Sequence, residues 1–173
     1  GREVSLFGLG GEGVLRTWGY EREAAAVIER ALEQGVTYFD TAPAYGLGKA
    51  EELVGAAIAG RRDKVVLATK CGLVWHTDKG THFFDEHGKK VYRYLGRDSI
   101  LHEVEQSLKR LKTDYIDLYI THWQDATTPV AETMGTLLDL KQQGKIRAIG
   151  VSNVSPEELQ AYLAAGPVDA IQE

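Results

Sequence analysis

Cysteine is nearly absent from this sequence, which has Cys71 as its single cysteine among 173 residues. One cysteine excludes a disulfide within the chain and favours a reducing compartment, so we expect a cytoplasmic protein. Apolar runs of membrane-spanning length are also missing, and residues 1–10 lack the basic-then-apolar order of a secretory signal. The formal net charge is −5 with both signs mixed, and no basic stripe predicts binding to nucleic acid.

Histidine is scarce too, and its positions do not resemble a metal centre. The chain has five histidines, and four of them lie in a polar segment or on a predicted helix without the spacing of zinc ligands: His76, His82, His87 and His102. We therefore expect no metal site.

What the sequence does contain is an alternation of two kinds of segment. Short apolar runs rich in β-formers predict six strands, and amphipathic segments between them predict five helices. The predicted strands are SLFGLG, VTYFDTA, KVVLATK, YIDLYITH, IRAIGVSN and VDAIQ. Strict alternation of strand and helix is typical of a parallel sheet with right-handed crossovers. We expect a single α/β domain over residues 1–173.

Capping residues mark where two of these helices begin. Thr128 is the expected N-cap of the fourth helix, with Pro129 in its first turn. In the fifth helix Ser155 can cap, Pro156 suits the first helical position and Glu158 lies three residues after the serine. That spacing predicts a capping box, in which each of the two side chains accepts a hydrogen bond from the other residue's backbone N–H.

One connection is unusually long, running from Gly72 to about Gly96. The segments on either side of His87-Gly88 can pair as a β-hairpin. A long loop in a compact domain is more often functional than idle, so we expect a functional role for this connection.

The sequence GLGGEG at residues 8–13 is a literal G-x-G-x-x-G and raises the question of dinucleotide binding. In a Rossmann fold the third glycine opens a helix that faces the pyrophosphate, and an acidic residue follows about 20 residues later. Here a helical pattern begins only near Glu21, and Asp40 comes later than the fingerprint requires. We favour a tight turn after the first strand, in which the missing Cβ lets the backbone come close to a neighbouring group.

Ionisable residues end three successive predicted strands, namely Asp40, Lys70 and His122. Tyr45 follows five residues after the first of them. In a (β/α)8 barrel all these strand ends open onto one face, where active sites are built. An Asp40–Lys70 pair would keep the lysine charged, and a neighbouring cation would lower the pKa of Tyr45 from about 10 toward neutrality. Such a phenol can exchange a proton with a carbonyl oxygen. Alternatively, Lys70 can form a Schiff base, as lysines of barrel aldolases do.

Five motifs in order carry a resemblance to a known family: FDTAPAYG, ATK, DYIDLYITHW, GKIRAIGVSN and DAIQ. With them the chain resembles the aldo-keto reductases along essentially its whole length. The resemblance implies a (β/α)8 TIM barrel, NADPH or less often NADH as cofactor, and hydride transfer to the carbonyl of an aldehyde or ketone. It implies that Tyr45 is the general acid and that His122 orients the substrate carbonyl. Asp40 and Lys70 would tune the tyrosine.

The same resemblance implies a cofactor site at the strand ends. Ser152, Asn153 and Gln172 would bind the nicotinamide carboxamide, and the glycines of the first strand would let its backbone approach the cofactor. The full expected set is Gly10, Gly11, Asp40, Ser152, Asn153 and Gln172. In this interpretation the glycine run brings the backbone close to the reacting centre and does not bind phosphate.

The substrate pocket is expected at two tryptophans. Trp123 directly follows His122, and Trp75 lies in the long connection, so both can wall a pocket, although packing in the core is an equal alternative. The partner is a small carbonyl compound whose identity the sequence does not specify. A regulatory subunit that senses the cofactor on the same fold is an alternative function.

The chain departs from the family in its number of strands. A barrel has eight strands and about 250 residues, whereas six strands are predicted here. In the family, strands seven and eight carry most contacts to the pyrophosphate and the 2′-phosphate, so we expect half of a cofactor site. We interpret the chain as the N-terminal part of a longer enzyme. A fragment that associates through its open sheet edge, or that a partner completes, is the alternative.

Overall fold

The computed structural model describes residues 3–173, which form alternating strands and helices. The strands in chain order are β1 (Gly8–Gly10), β2 (Tyr38–Asp40), β3 (Val66–Cys71), β4 (Leu73–Val74), β5 (Thr81–Glu86), β6 (Lys89–Arg93), β7 (Ile116–Thr121), β8 (Ile146–Ser152) and β9 (Ala170–Gln172). The helices are α1 (Glu21–Glu33), α2 (Lys49–Ala57), α3 (Arg97–Leu111), α4 (Val130–Gln142) and α5 (Pro156–Ala165). Short 3-10 turns occur at Val14–Arg16 and Arg62–Lys64. Within the described part of the chain, no helix is both long and apolar enough to cross a bilayer.

Six of the strands form one parallel sheet in the order β1-β2-β3-β7-β8-β9. Each neighbouring pair is parallel, and consecutive strands of the sheet are joined through a helix on its outer side. The sheet curls into half of a (β/α)8 barrel. The predicted six parallel strands and five helices are therefore confirmed.

The core lies between the sheet and the helices that cover it. Each helix contributes at least one fully buried side chain to a single apolar cluster: Ile28, Val54, Val104, Leu137 and Tyr162. Buried parallel strands read as continuous apolar runs, and in each of the central strands β3 and β7 all residues but one are buried. Burial of these apolar side chains away from water is the main favourable contribution to folding, at about 25 cal/mol per Å² of apolar surface. The core thereby fixes the strand ends, which carry the ionisable residues.

The start of α5 matches the predicted capping box. The Ser155 hydroxyl oxygen accepts from the Glu158 backbone N–H at 3.1 Å, and the Glu158 carboxylate accepts from the Ser155 N–H at 2.7 Å. Both N–H groups would otherwise lack a partner at the helix end. This prediction from sequence is confirmed.

The start of α4 does not match its prediction. The N-cap is Pro129, in an extended conformation, and the helix begins at Val130. Thr128, the expected cap, instead donates its hydroxyl to the Asp125 carboxylate at 2.6 Å. This hydrogen bond is charge-assisted, because its acceptor is an ionised carboxylate, and such bonds are about twice as strong as neutral ones. The prediction of Thr128 as N-cap is therefore wrong.

The long connection after β3 folds as a small antiparallel sheet in the order β4-β6-β5. Its hairpin turns at His87-Gly88, where both residues have positive φ, +48° and +75°. Two left-handed residues are what a tight two-residue hairpin turn requires. The hairpin, predicted from sequence, is confirmed. Its Val91 packs in an apolar cluster with Leu73 of β4 and Ala44 of the main body.

The glycine run forms the turn that ends β1. The backbone N–H of Gly11 donates to the Asp40 carbonyl at 2.7 Å. A Cβ at Gly11 would lie 3.0 Å from the Thr41 hydroxyl oxygen and 3.1 Å from the Asp40 carbonyl oxygen, so a side chain there would be crowded. A 3-10 turn at Val14–Arg16 follows, and α1 begins only at Glu21. No α-helix therefore starts at the third glycine, which agrees with the tight-turn interpretation and not with a Rossmann fingerprint.

Candidate active site

The ionisable side chains converge because they lie at the same edge of a parallel sheet. Asp40 ends β2, Ser152 ends β8 and Gln172 ends β9. Lys70 is the second-last residue of β3, and His122 directly follows β7. The carboxyl ends of parallel strands in a barrel open onto one face. The fold therefore brings together groups that are 132 residues apart in the chain, such as Asp40 and Gln172.

Lys70 is the centre of this group and is almost completely buried, with 2% of its surface exposed. Its Nζ donates to both carboxylate oxygens of Asp40, at 2.9 and 3.0 Å, and to the Thr41 carbonyl at 3.0 Å. The same Nζ lies 3.3 Å from the Tyr45 hydroxyl oxygen. Burial lowers the pKa of Lys70, and the Asp40 carboxylate opposes that shift. The ammonium is thus held against a phenol and neutralised by one carboxylate.

Tyr45 shows a pKa shift opposite to the one predicted. Burial raises its pKa first, and the carboxylates of Asp40 and Glu12 raise it further, whereas Arg16 lowers it. The prediction of a pKa near neutrality is therefore wrong, because desolvation of the phenolate and the neighbouring carboxylate outweigh the cations. The hydroxyl remains protonated at neutral pH and is available as a hydrogen-bond and proton donor.

His122 stands edge-on to the Tyr45 ring, with centroids 5.6 Å apart and planes at 87°. Burial lowers the pKa of His122 to about 3, and the nearby charges of Lys70 and Arg16 contribute to the shift. The imidazole is therefore neutral at physiological pH. A neutral imidazole has one N–H donor and one acceptor, so it can hydrogen-bond a carbonyl oxygen without introducing a charge.

The buried neutral His122 predicts a loss of stability in acid. Because its folded pKa of about 3 lies below the unfolded value of 6.5, the unfolded chain binds the proton first as the pH falls. Stability should therefore decrease between about pH 6.5 and 3, by about 2 kcal/mol at pH 5. Urea unfolding of the parent chain and of His122→Gln at pH 7 and pH 5 measures this contribution. Between pH 7 and pH 5, the free energy of unfolding should decrease less in His122→Gln than in the parent. His87→Gln, at the exposed hairpin tip, should show the same decrease as the parent. An equal decrease in all three proteins would contradict the conclusion that His122 is buried in its neutral form.

The residues expected to hold a nicotinamide carboxamide also lie at this edge. Asn153 donates its side-chain amide to the His122 carbonyl at 2.7 Å and to the Ser152 hydroxyl at 3.1 Å. Gln172 donates its amide to the Asp40 carboxylate at 3.1 Å. Its oxygen, Oε1, is buried and has no hydrogen-bond partner within residues 3–173. A buried acceptor without a partner is rare and fits a ligand that brings an N–H donor, as a carboxamide does.

Gly10 leaves space at the same edge. A Cβ built on it would meet no atom within 4 Å, in contrast to the crowded position of Gly11 beside β2. The two glycines thus differ: Gly11 is closely packed against Asp40 and Thr41, and Gly10 leaves the end of β1 bare. A flat ligand can approach the backbone there.

A cavity of about 220 Å³ adjoins the tyrosine and the histidine. It is lined by Glu12, Arg16, Ala44, Tyr45, Leu73, Phe83, Phe84, His122 and Trp123. Trp123 is therefore at this cavity, as expected for a pocket wall. Trp75 is not: it packs against the apolar cluster of Leu73 and Val91 and lines a separate, smaller cavity beside Glu103.

Two residues of the cavity, Glu12 and Arg16, were missed by the sequence reasoning. They lie in and just after the glycine run, where no strand or helix pattern indicates which way a side chain points. Glu103 was missed as well: its buried carboxylate on α3 accepts from the Gly72 N–H at 2.9 Å, directly after β3. Burial raises the pKa of Glu103 to about 8. It lies on the buried face of α3 beside Ile100 and Val104, a face that the sequence reasoning did not define.

Histidines outside the site do not assemble a metal centre. The His76 and His102 rings lie 4.2 Å apart, and the His82 ring contacts the Asp85 carboxylate at 2.7 Å. Among the described residues, no group of three or more His, Cys, Asp or Glu side chains could hold a metal ion.

Comparison with known proteins places this arrangement in a family. The model of the aldo/keto reductase family matches residues 7–172. The aldo-keto reductase YhdN of Bacillus subtilis is 46% identical, with 99% of this chain and 50% of that protein covered. An NADH-specific methylglyoxal reductase of Escherichia coli is 43% identical, with 90% of this chain and 49% of that protein covered. The chain thus spans about half the length of the curated relatives it matches.

Solved structures agree with the sequence relatives. A glycerol dehydrogenase from Gluconobacter oxydans superposes with a TM-score of 0.85 at 40% identity, covering 98% of this chain and 51% of that one. An aldo-keto reductase from Klebsiella pneumoniae in complex with NADPH superposes with a TM-score of 0.77 at 34% identity, covering 94% and 50%. Because the family model matches nearly the whole length of this chain, the chain belongs to the aldo/keto reductase family.

Proposed function

We propose that this chain carries the catalytic face of a reductase that converts the carbonyl group of an aldehyde or ketone to an alcohol with NADPH. The observation that supports the proposal is the buried contact of Lys70 with Asp40 and Tyr45 beside His122, at the mouth of a cavity. Family membership supports oxidoreduction. The roles of the individual residues are inferred from their geometry.

Tyr45 is the proton donor in this proposal. Its hydroxyl is protonated at neutral pH and borders the cavity, so it can donate to a carbonyl oxygen placed there. When the proton leaves, the phenolate that remains lies 3.3 Å from the Lys70 ammonium, which stabilises the negative charge. A proton from water then restores the phenol. The bound cofactor supplies the hydride that goes to the carbonyl carbon.

His122 orients the substrate in this proposal. Its neutral imidazole can donate a hydrogen bond to the same carbonyl oxygen and so direct it toward Tyr45. The Asn153 side-chain amide donates to the backbone carbonyl of His122 at 2.7 Å, which helps to fix the position of His122. Trp123 and the hairpin phenylalanines Phe83 and Phe84 form apolar walls around the carbonyl's substituent.

The proposed cofactor site includes Gln172, whose buried side-chain oxygen has no hydrogen-bond partner within residues 3–173. Gln172, Ser152 and Asn153 would hold the carboxamide, and Gly10 leaves space beside them. One relative is NADH-specific and one solved neighbour contains NADPH. We propose NADPH for this chain, with weak affinity, because the phosphate-binding strands of the family barrel lie beyond the six strands described here. We also place the enzyme in the cytoplasm, in keeping with the free, buried thiol of Cys71.

The contacts of Lys70 argue against an aldolase. A Schiff base needs an uncharged amine, whereas this ammonium contacts both oxygens of a carboxylate. Borohydride treatment with an aldehyde should therefore leave the mass of Lys70 peptides unchanged. A covalent adduct on Lys70 would replace the reductase proposal with an aldolase.

The proposed function predicts aldehyde-dependent oxidation of NADPH by the purified chain at high cofactor concentration. The oxidation is followed by loss of NADPH absorbance, with NADH in parallel to measure the preference. NADPH binding to the chain should be weak by calorimetry. Tight binding that depends on the 2′-phosphate would contradict the half-site interpretation, and no aldehyde-dependent oxidation at saturating NADPH would contradict the proposed function.

A further inference from the structure

The cavity beside Tyr45 is walled by two segments far apart in the chain. The segment 12–18 follows the glycine turn, and the hairpin of β5 and β6 supplies the aromatic walls Phe83 and Phe84. Phe83 reaches across to Trp123, with ring centroids 5.1 Å apart. The hairpin is otherwise attached to the body through β4 and a small apolar cluster. Its position over the cavity therefore depends on few contacts.

Two contacts join the segment 12–18 to the hairpin tip, and we call them the clasp. The Arg16 guanidinium donates to the Glu86 carboxylate at 2.9 Å, and the Trp18 ring lies 5.0 Å from the His87 ring. Arg16 and Trp18 are two residues apart, and their partners are adjacent. The Glu86 side chain is only 13% exposed, and its second oxygen is buried without a hydrogen-bond partner within residues 3–173. The ion pair is thus partly desolvated, unlike an ordinary surface pair.

Arg16 also contacts the turn that carries the general acid. A Cβ on Gly46, the residue after Tyr45, would lie 2.6 Å from the Arg16 carbonyl oxygen, and Gly46 has a φ of +64°. The backbone of Arg16 therefore packs directly on the tyrosine turn, while its side chain reaches the hairpin. Arg16 thus contacts both the tyrosine turn and the hairpin tip, which are about 40 residues apart in the chain.

We propose that Arg16 is a positioning residue that sets the width of the substrate cavity, by holding the hairpin against the tyrosine turn through Glu86. The proposal rests on the reductase function proposed above for the same cavity. With the clasp closed, Phe83 and Phe84 limit the space beside the carbonyl, so the enzyme selects aldehydes with small or narrow substituents. Opening the clasp should admit bulkier ones.

The test uses the chain as it is, with Arg16→Gln, Glu86→Gln and the charge-swapped Arg16→Glu/Glu86→Arg. Hydrogen–deuterium exchange of residues 81–93 is measured by mass spectrometry, because it reports on the hairpin without any catalysis. Exchange should be about tenfold faster in both single variants. Arg16→Gln leaves the half-buried Glu86 without a cation, and Glu86→Gln leaves Arg16 only its 3.6 Å contact with Glu12 in its own segment. The swapped pair should restore most of the protection. The control is Arg97→Gln, which breaks an ion pair with Asp139 away from the cavity.

The catalytic readout compares propanal with 2-naphthaldehyde as substrates. Glu86→Gln should raise kcat/KM for the bulky aldehyde relative to propanal by about fivefold, through a lower KM, with kcat for propanal unchanged. Unchanged hairpin exchange in both single variants would overturn the clasp. Faster exchange with unchanged selectivity in an active enzyme would overturn its role in specificity. If the parent chain reduces neither aldehyde, the proposed function fails, and the exchange data alone then decide whether the clasp exists.

Discussion

Replacing Tyr45 by phenylalanine is expected to lower the rate of the proposed carbonyl reduction by about 10³-fold. General acid catalysis contributes about 10² to 10⁴ in rate, and among residues 3–173 Tyr45 is the hydroxyl that both borders the cavity and contacts the Lys70 ammonium. Phenylalanine keeps the ring, and therefore the edge-on contact with His122, but removes the proton. The loss should appear in kcat, because the missing interaction is made in the transition state.

A matched control separates the proton from general effects of losing a buried hydroxyl. Tyr38 lies on β2 with its phenol half-buried, and burial together with Asp40 raises its pKa to about 12. Tyr38→Phe therefore removes a similar phenol near the same carboxylate, and it should retain most of the activity. Cofactor binding and the urea midpoint should be unchanged in Tyr45→Phe. A turnover number within threefold of the parent would show that another group supplies the proton.

The convergence of the candidate catalytic residues was predictable from the sequence because it depends on topology alone. Once Asp40, Lys70 and His122 are placed at the ends of parallel strands, the sheet brings them to one edge whatever their rotamers. The position of Gln172 was predictable for the same reason, although its strand β9 is the edge strand opposite to β1 in the sheet. The strand pattern carries that information directly, since buried parallel strands appear as short apolar runs.

The pKa of Tyr45 was not predictable, because it depends on a balance that the sequence does not contain. A lysine near a tyrosine suggests a lowered pKa, and here the two atoms are indeed 3.3 Å apart. The same Lys70 is neutralised by Asp40, and the phenol is only 8% exposed. Burial and the carboxylate therefore dominate. Only coordinates show which neighbours compensate one another.

Irregular segments account for most of the remaining differences between the predictions from sequence and the structure. The start of α4 was misplaced because Asp125 binds the Thr128 hydroxyl, a local side-chain contact within the loop before the helix. Glu12 and Arg16 lie in a turn and a 3-10 segment, where neither a period of two nor one of 3.6 assigns a direction to the side chain. The hairpin was predictable, since its turn residues occur between two segments able to pair.

Replacing Lys70 by methionine is expected to destabilise the fold by about 3 kcal/mol or more and to abolish activity. Removal of one partner from a buried ion pair leaves the other charge uncompensated, which costs about 3–5 kcal/mol. Asp40, with 15% of its side chain exposed, would keep only its contact with Gln172. A loss of this size lowers the melting temperature by about 6–12 °C in a chain of this length.

The double variant Asp40→Asn/Lys70→Met distinguishes stability from catalysis. Since the asparagine carries no charge, the double variant should regain much of the stability lost in Lys70→Met, as measured by thermal unfolding and urea midpoints. It should regain no activity, because the phenolate of Tyr45 would still lack the ammonium that stabilises it 3.3 Å away. Lys141→Met, which breaks an exposed pair with Asp169, is the control and should cost less than about 1 kcal/mol. If Lys70→Met were no more destabilising than this control, or if the double variant reduced aldehydes as the parent does, Lys70 would be neither the buried counter-charge of Asp40 nor the stabiliser of the phenolate.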